Sequence, residues 1–224
     1  MKNIVFLCSG NGGNLRFLQS TIELGLLPGA RVVAAVADRD CGALDYARTQ
    51  GLQAWSADFT EAGQAQLVEA IAALEPDLIV TNIHKILFPV FVRAFAGRLI
   101  NLHYALLPAF AGVIGTKPVE QAIAYGAKWT GATVHHVSEE LDLGRPIVQA
   151  VVPLREGDSV ATVMDTVFRA GCLSLYAAVK SRLAGEALQD VVTWSVQGRT
   201  VAIHPACPLG APFDDDDFWD RLKG

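Results

Sequence analysis

His103 and Asn101 are the two side chains whose types and spacing most clearly indicate chemistry. Asn101 precedes His103 by two residues at the end of a predicted strand over 98–102, so both side chains leave the strand on the same face. An imidazole and an amide side by side can both donate hydrogen bonds to an oxygen that gains negative charge. A lone histidine is more often structural, but a place at the carboxyl end of a strand favours a catalytic role.

Asp142 is the carboxylate that the sequence places best to assist His103. Leu141 and Leu143 flank it and Gly144 follows, a pattern that lets the chain turn the carboxylate inward. A carboxylate close to an imidazole favours the charged imidazolium. We therefore expect the acid and the imidazole to act together.

The adjacent histidines His135 and His136 point to opposite faces of a predicted strand, so a metal ion held by both is not expected. One of the two is expected to face the site. The four cysteines show neither a CxxC motif nor zinc spacing, and no metal is expected. Cys8 lies in an apolar run, which predicts a buried thiol rather than a nucleophile.

A glycine-rich turn, SGNGGN over 9–14, follows the first predicted strand and opens a helix. Backbone N–H groups at the N-terminus of a helix can hold an anion. The turn lacks the Gly-Lys-Ser/Thr of a P-loop, and Leu15 stands where a dinucleotide-binding turn needs its third glycine. The sequence leaves open whether this turn binds an anion or is only a tight connection.

The first hundred residues alternate between strand and helix. Strands are predicted at 4–8, 31–37, 53–56, 77–81 and 98–102, with helices at 15–27, 43–50, 60–74 and 87–95. This alternation predicts an α/β fold with a doubly wound, mostly parallel, Rossmann-like sheet. Ligands of such sheets bind beyond the carboxyl ends of the strands, where His103 and the glycine-rich turn fall.

The second half departs from this alternation. It contains a short helix at 119–125, strands at 133–137 and 147–152, a long amphipathic helix at 160–183 and a hairpin that turns at Gln197-Gly198. We expect a catalytic domain over 1–190 and, over 191–224, a C-terminal hairpin and acidic tail packed on it or extending from it. The acidic run Asp214–Asp217 is expected to be solvated, in a disordered or loosely packed tail.

Composition excludes several classes of protein. The chain has 224 residues, 51% hydrophobic and 18% charged, which is typical of a globular domain and not of a disordered one. A net charge of −5 without a Lys/Arg cluster argues against nucleic-acid binding. No apolar run is long enough to span a bilayer, and Met1–Cys8 lacks the features of a signal peptide. We therefore expect a cytoplasmic enzyme without a membrane partner, and the oligomeric state is left open.

Several segments together resemble one family. They are SGNGGN at 9–14, EPDLIV at 75–80, NLHYALLPAF at 101–110, GATVHHV at 131–137 and LDLGRPIVQ at 141–149. In this order they resemble the 10-formyltetrahydrofolate-dependent formyltransferases, and among these most closely the glycinamide ribonucleotide formyltransferases. The resemblance covers residues 1–183. It implies the Rossmann-like formyltransferase fold and a one-carbon transfer from 10-formyltetrahydrofolate, as co-substrate, to a primary amine of a small substrate.

The resemblance also implies roles for individual residues. It assigns catalysis to Asn101, His103 and Asp142, and makes His135 the histidine that faces the substrate. Contacts to the pterin ring of the folate are implied for Lys85, Ile86, Leu87, Leu141 and Asp142. The phosphate of the amine substrate is implied to be held by Gly10, Asn11, Gly12, Gly13 and Asn14.

Departures from the family pattern concern the acceptor. Tyr104-Ala105 stands where the family has Pro-Ser, and the loop GVIGTKPVEQ at 112–121 is longer. Gly171-Cys172 stands near the place of a Glu-His pair whose carboxylate holds the ribose, and its loss is expected to weaken binding of the ribonucleotide. Glycinamide ribonucleotide with an altered acceptor site is thus one alternative.

Other functions stay open beside this one. A different amine, such as a hydroxyornithine or an amino sugar, is a second alternative for the acceptor. A hydrolase is the third, because the stretch 124–137 also resembles formyltetrahydrofolate deformylases. A folate-binding protein without activity is disfavoured by the intact catalytic trio.

Overall fold

The computed structural model describes residues 1–222. The strands are β1 Lys2–Cys8, β2 Ala30–Ala37, β3 Gln53–Ser56, β4 Leu78–Asn82, β5 Leu99–His103, β6 Trp129–His136, β7 Pro146–Pro153, β8 Val192–Val196 and β9 Arg199–His204. The helices are α1 Gly13–Glu23, α2 Gly42–Thr49, α3 Glu61–Ala72, α4 Pro89–Ala94, α5 Lys117–Tyr125, α6 Val160–Ala184 and α7 Asp216–Asp220.

The first compact unit comprises Met1–Asn101 and His136–Leu141, together with Leu222. Its strands lie in the order β3-β2-β1-β4-β5 and all pair in parallel. Residues 4–8 of β1 are at most 2% exposed, as expected for a strand covered on both faces. The chain builds one side of the sheet from β1 to β3 and then returns past β1 to β4, which confirms the predicted doubly wound parallel fold.

This topology fixes where a ligand of the first unit is expected. The strand order reverses between β1 and β4, and in open α/β sheets the crevice at that point receives the ligand. The glycine-rich turn 9–14 follows β1, and the segment 83–88 follows β4. Two of the segments singled out in the sequence therefore leave the sheet at its switch point.

The second compact unit comprises Leu102–His135 and Asp142–Arg221. Its strands pair antiparallel in the order β6-β7-β9-β8, so the C-terminal hairpin belongs to this sheet. The long helix α6 begins after Ser159, whose Oγ accepts the N–H of Thr162 at 3.1 Å, and ends at the left-handed Gly185. The sequence predicted an amphipathic helix, but every residue from 169 to 179 is buried, which is typical of a core helix.

The prediction of a disordered or loosely packed C-terminal tail was wrong. Phe213, Phe218 and Trp219 are buried, and the ring of Phe213 lies 5.3 Å from that of Tyr176 on α6. The run Asp214–Asp217 is exposed, as predicted, but aromatic side chains on either side of it anchor the segment. The sequence prediction rested on the four consecutive carboxylates and therefore did not take account of the aromatic residues beside them.

No helix within residues 1–222 has both the length and the apolar content of a membrane span. The cytoplasmic location stays a prediction.

Candidate active site

His103 ends β5 and is only 7% exposed. Its Nδ1 lies 3.5 Å from Oδ2 of Asp142, and its Nε2 lies 3.2 Å from the carbonyl oxygen of Phe110. A carboxylate and a carbonyl can only accept hydrogen bonds, so the ring donates to both only when both nitrogens carry a proton. His103 therefore has an acceptor oxygen facing each of its two ring nitrogens.

Asp142 lies between two imidazoles. Its Oδ1 is 3.6 Å from Nε2 of His135, and its Oδ2 accepts the backbone N–H of Gly112 at 2.8 Å as well as facing His103. Asp142 itself has the left-handed φ of 55°, a conformation that aspartate tolerates better than most residues. The sequence assigned the inward turn to Gly144, but the turn occurs at the acid itself. Its side chain is 8% exposed, which leaves the carboxylate weakly screened by water.

His135 is 2% exposed and shares the Asp142 carboxylate. The structure thus brings together three of the residues predicted from the sequence, His103, His135 and Asp142. The substrate-facing role of His135 stays a prediction.

The loop after His103 is fastened to strands β6 and β7 by two polar side chains, the buried Thr133 and the partly buried Gln149. Thr133 Oγ1 donates to the carbonyl of Ala105 at 2.7 Å and accepts the N–H of Leu107 at 3.1 Å. Gln149 Nε2 donates to the carbonyl of Leu107 at 3.0 Å. These bonds fix the course of the chain toward Phe110, whose carbonyl faces His103. Sequence reasoning missed this anchoring, because the bonds join residues more than ten positions apart.

Asn101 stands two residues before His103 in β5, so the two side chains leave the strand on the same side. Its Oδ1 accepts the hydroxyl of Thr81 at 3.0 Å. With the amide oxygen directed at Thr81, the NH₂ of Asn101 is the group that can donate to an oxyanion.

The glycine-rich turn requires its glycines. Gly10 and Gly12 have φ of 119° and 76°, and a Cβ on Gly12 would lie 2.8 Å from the Cβ of Ala43. Helix α1 begins at Gly13, and its N-cap residue, Gly12, has no side chain that could cap the first N–H groups. The turn therefore directs the positive end of an 11-residue helix dipole toward the sheet edge, which fits the predicted anion site.

Asn14 and Asn11 have different hydrogen-bond partners, which limit the groups that each could use to bind an anion. The side chain of Asn14 is 4% exposed and donates to Oδ1 of Asn82 at 2.9 Å, so its contribution to an anion would come from the backbone N–H. The carbonyl of Asn11 accepts from Arg16 Nε at 3.4 Å, and the guanidinium of Arg16 lies 4.3 Å from the ring of Tyr46. Arg16 adds a cation near the turn that sequence reasoning did not single out.

The segment Lys85-Ile86-Leu87 lies in the loop between β4 and α4. Lys85 Nζ is 3.9 Å from Oδ2 of Asp38, Ile86 is 60% exposed, and Leu87 packs against the core of the first unit. Leu141, also predicted to contact the ring, is 52% exposed. Exposed aliphatic side chains of this kind provide apolar surface for a flat ring, and their assignment to the folate stays a prediction.

Ser9 and Asp38 link the two segments at the switch point. Ser9 Oγ donates to Oδ1 of Asp38 at 2.7 Å and accepts the backbone N–H of His84 at 3.1 Å. The side chain of Asp38 is 3% exposed and also accepts from Arg39 at 2.7 Å. Both residues directly follow parallel strands, which is the signal by which the sequence could have found them.

Cys8 and Cys172 are not nucleophiles. Burial, with smaller contributions from Cys41 and Asp38, raises the pKa of the Cys8 thiol to about 12. Cys172 is fully buried, and that burial raises the pKa of its thiol well above its ordinary value. Thiols that stay protonated are poor nucleophiles, which agrees with the sequence prediction for Cys8. Within residues 1–222 no group of three His, Cys, Asp or Glu side chains is arranged to hold a metal ion.

Sequence comparison with known proteins identifies the family of this chain. The formyl transferase domain model matches residues 2–179. The phosphoribosylglycinamide formyltransferase of Mycobacterium tuberculosis is 38% identical over 206 residues, 89% of this chain and 93% of the relative. The Escherichia coli enzyme of the same name is 36% identical over 163 residues, 70% of this chain and 76% of the relative.

Solved structures agree on the fold. Glycinamide ribonucleotide transformylase 1 from Symbiobacterium toebii superposes with a TM-score of 0.77 at 30% identity, covering 89% of this chain and 92% of that one. A formyltetrahydrofolate deformylase from Pseudomonas syringae has a TM-score of 0.74 at 23% identity, covering 89% of this chain and 65% of that one, and shares the fold. On these matches the chain belongs to the formyl transferase family and is an enzyme that transfers a one-carbon formyl group.

Proposed function

We propose that this enzyme transfers the formyl group of 10-formyltetrahydrofolate to the primary amine of a small substrate, with glycinamide ribonucleotide as the first candidate acceptor. The observation that carries the proposal is the buried His103, held between the Asp142 carboxylate and a backbone carbonyl, with Asn101 two residues before it on the same strand. Relatives at 36% and 38% identity that bear the name phosphoribosylglycinamide formyltransferase support the acceptor.

The proposed reaction begins when the amine attacks the formyl carbon. The new C–N bond forms as the formyl oxygen takes the negative charge, and the Nε2–H of His103 and the amide of Asn101 donate to that oxygen. For His103 this means that the oxyanion replaces the carbonyl of Phe110 as the acceptor, since that carbonyl lies 3.2 Å from Nε2. Removing one oxyanion donor typically costs about 3 kcal/mol in the transition state.

The second step breaks the bond between the formyl carbon and the folate nitrogen. Asp142 keeps His103 charged and passes a proton, through water, from the attacking amine to the leaving nitrogen. General acid–base assistance of this kind contributes about 100- to 10,000-fold to the rate. The products are the formylated amine and tetrahydrofolate, and no charge is left on either nitrogen.

Binding is proposed to use the segments at the switch point of the sheet. The backbone N–H groups of the turn Gly10, Asn11, Gly12, Gly13 and Asn14 hold the phosphate of the acceptor. The segment Lys85, Ile86 and Leu87, together with Leu141, contacts the pterin ring, and His135 faces the acceptor beside Asp142.

A different primary amine is the second candidate acceptor, and the packing around Tyr104 favours it. A Cβ on Gly171 would lie 3.0 Å from Cε1 of Tyr104, so the ring lies directly against the backbone of α6. Cys172, next to this glycine, is fully buried and offers no carboxylate. An acceptor without a ribose would not need the carboxylate that is missing at this position, which supports the second candidate.

The release of tetrahydrofolate, followed by absorbance, separates these possibilities. The enzyme is mixed with 10-formyltetrahydrofolate alone, then with glycinamide ribonucleotide, then with amines such as hydroxyornithine and an amino sugar. Turnover that needs glycinamide ribonucleotide supports the first acceptor, and turnover only with another amine supports the second. Equal turnover without any amine identifies a hydrolase and refutes the transfer.

A further inference from the structure

Gln64 on α3 is fully buried, although its side chain is polar. Its Nε2 donates to the carbonyl of Phe59 at 3.0 Å and to the carbonyl of Ile86 at 2.8 Å, and its Oε1 accepts the N–H of Phe88 at 2.9 Å. Both donor hydrogens and the acceptor oxygen are therefore bound to backbone groups. A buried amide that satisfies three backbone groups is costly to replace, because each group would lose its partner.

Two of these three groups belong to the segment after β4. The carbonyl of Ile86 and the N–H of Phe88 lie on either side of Leu87, so Gln64 holds that residue from both of its peptide neighbours. The segment 83–88 lies outside any helix or strand, so its backbone finds no partners in a ladder. Gln64 supplies the partners that regular secondary structure would otherwise provide.

The beginning of the same segment is also held. The N–H of His84 donates to Ser9 Oγ, which itself donates to the buried Asp38. Between these anchors, at 84 and at 86–88, the side chains of Lys85 and Ile86 are exposed, the latter by 60%. A backbone held by buried hydrogen bonds, with one aliphatic and one cationic side chain exposed on it, makes a preorganised binding surface.

We propose that Gln64 is a positioning residue for the folate co-substrate, which fixes the segment Lys85–Leu87 in the conformation that receives the pterin ring. Gln64 does not touch the ring and takes no part in the chemistry. The assignment rests on the proposed function, because it is the folate that this segment is proposed to bind.

The test compares two substitutions on the same helix. Gln64→Met keeps the length of the side chain and removes all three hydrogen bonds. Gln66→Met is the matched control, because Gln66 is exposed on α3. We expect Gln64→Met to raise KM for 10-formyltetrahydrofolate roughly 10- to 100-fold, while kcat at saturating folate and KM for the amine change less than about 2-fold. The control is expected to match the wild type in all three.

Hydrogen exchange gives a readout that does not depend on activity. In Gln64→Met the amide of Phe88 loses its acceptor, so peptides covering 84–90 are expected to exchange about 10-fold faster or more. The amide of Ala57, which donates to the carbonyl of Ala37 at 2.8 Å in the same unit, is expected to keep its protection.

Several outcomes would overturn the assignment. An unchanged folate KM beside faster exchange at 84–90 would show that the fixed segment does not matter for the folate. Equal losses in both KM values, or in kcat, would show a general structural role. If Gln64→Met does not fold, Gln64→Asn replaces it, since it keeps a neutral amide at the buried site but is one CH₂ shorter and is expected to raise folate KM by a smaller factor. A wild-type enzyme that does not bind 10-formyltetrahydrofolate would refute the proposed function itself.

Discussion

Replacing Asp142 by asparagine tests the electrostatics of the site with little change in shape. The carboxylate lies 3.5 Å from Nδ1 of His103, and the two side chains are 8% and 7% exposed. At that distance a pair of unit charges attract by about 5 kcal/mol at an effective dielectric constant of about 20. Asparagine keeps an oxygen for the N–H of Gly112 but removes the charge that favours the imidazolium and the group that passes the proton.

We expect Asp142→Asn to lower kcat/KM about 1,000-fold, or about 4 kcal/mol, which is most of that attraction. The assay is tetrahydrofolate release at saturating amine, with urea unfolding to confirm that the variant is folded. Glu140→Gln serves as the control, because Glu140 is an exposed carboxylate in the same loop. A folded Asp142→Asn enzyme that retains more than about a tenth of wild-type kcat/KM would refute the proposed role of the charge.

Three further substitutions probe the site and its support. Asn101→Ala and His103→Ala are each expected to remove most of the activity while leaving the urea midpoint near that of the wild type, and wild-type turnover in either would contradict the assignment. Gly12→Ala is expected to lower the free energy of unfolding by about 2 to 4 kcal/mol, because the new methyl group meets α2 and φ is 76°; an unchanged urea midpoint would show that the turn relaxes. Hydrogen bonds from Arg199 lower the pKa of Asp158, so this carboxylate stabilises the fold above its unfolded pKa of about 4 and that stability is lost as pH falls through the lower folded value. Asp158→Asn is therefore expected to be less stable than the wild type at pH 7, with a gap that closes below about pH 4, and a gap independent of pH would contradict this.

Much of the parallel half of the fold could be predicted from the sequence because β1, β2 and β4 each contain an apolar run, at 4–8, 32–37 and 78–80. A strand covered on both faces needs no alternation, so its apolar run and the polar residue after it are visible locally. His103 is the last residue of β5 and the glycine-rich turn follows β1, and both were singled out for their place at the end of a strand. Topology then accounts for their common position at the carboxyl ends of the strands.

The residues that sequence reasoning missed act through backbone groups far along the chain. Gln64 donates to the carbonyl of Ile86, 22 positions further along the chain, and accepts the N–H of Phe88, 24 positions further along. A glutamine at position 64 does not by itself indicate those partners. The contact between the Phe110 carbonyl and His103 could not be predicted from the sequence either, because every residue has a backbone carbonyl.

The prediction for the C-terminal segment failed for a different reason. It relied on the local charge of the segment and not on contacts with distant parts of the chain. Four consecutive aspartates indicated a solvated tail, but Arg169 on α6 pairs with Asp216, and Trp194 Nε1 donates to Asp214 at 3.0 Å. The partners of the acidic run lie on elements that precede it by 20 residues or more. Charge patterning along the chain does not contain that information.

The aromatic packing of the C-terminal segment also determines what optical spectroscopy will report. Trp194 and Trp219 are buried with ring centroids 5.8 Å apart, whereas Trp129 is 57% exposed. Two indoles so close together give a strong near-ultraviolet circular dichroism signal, and their emission is expected to shift to longer wavelength when the C-terminal segment detaches. Tryptophan signals will therefore follow the second unit more closely than the segments around β1 and β4, where Trp55 is the nearest indole in the chain. Damage confined to the folate-binding segment would not be reported by the Trp194–Trp219 pair, and it needs a probe of its own.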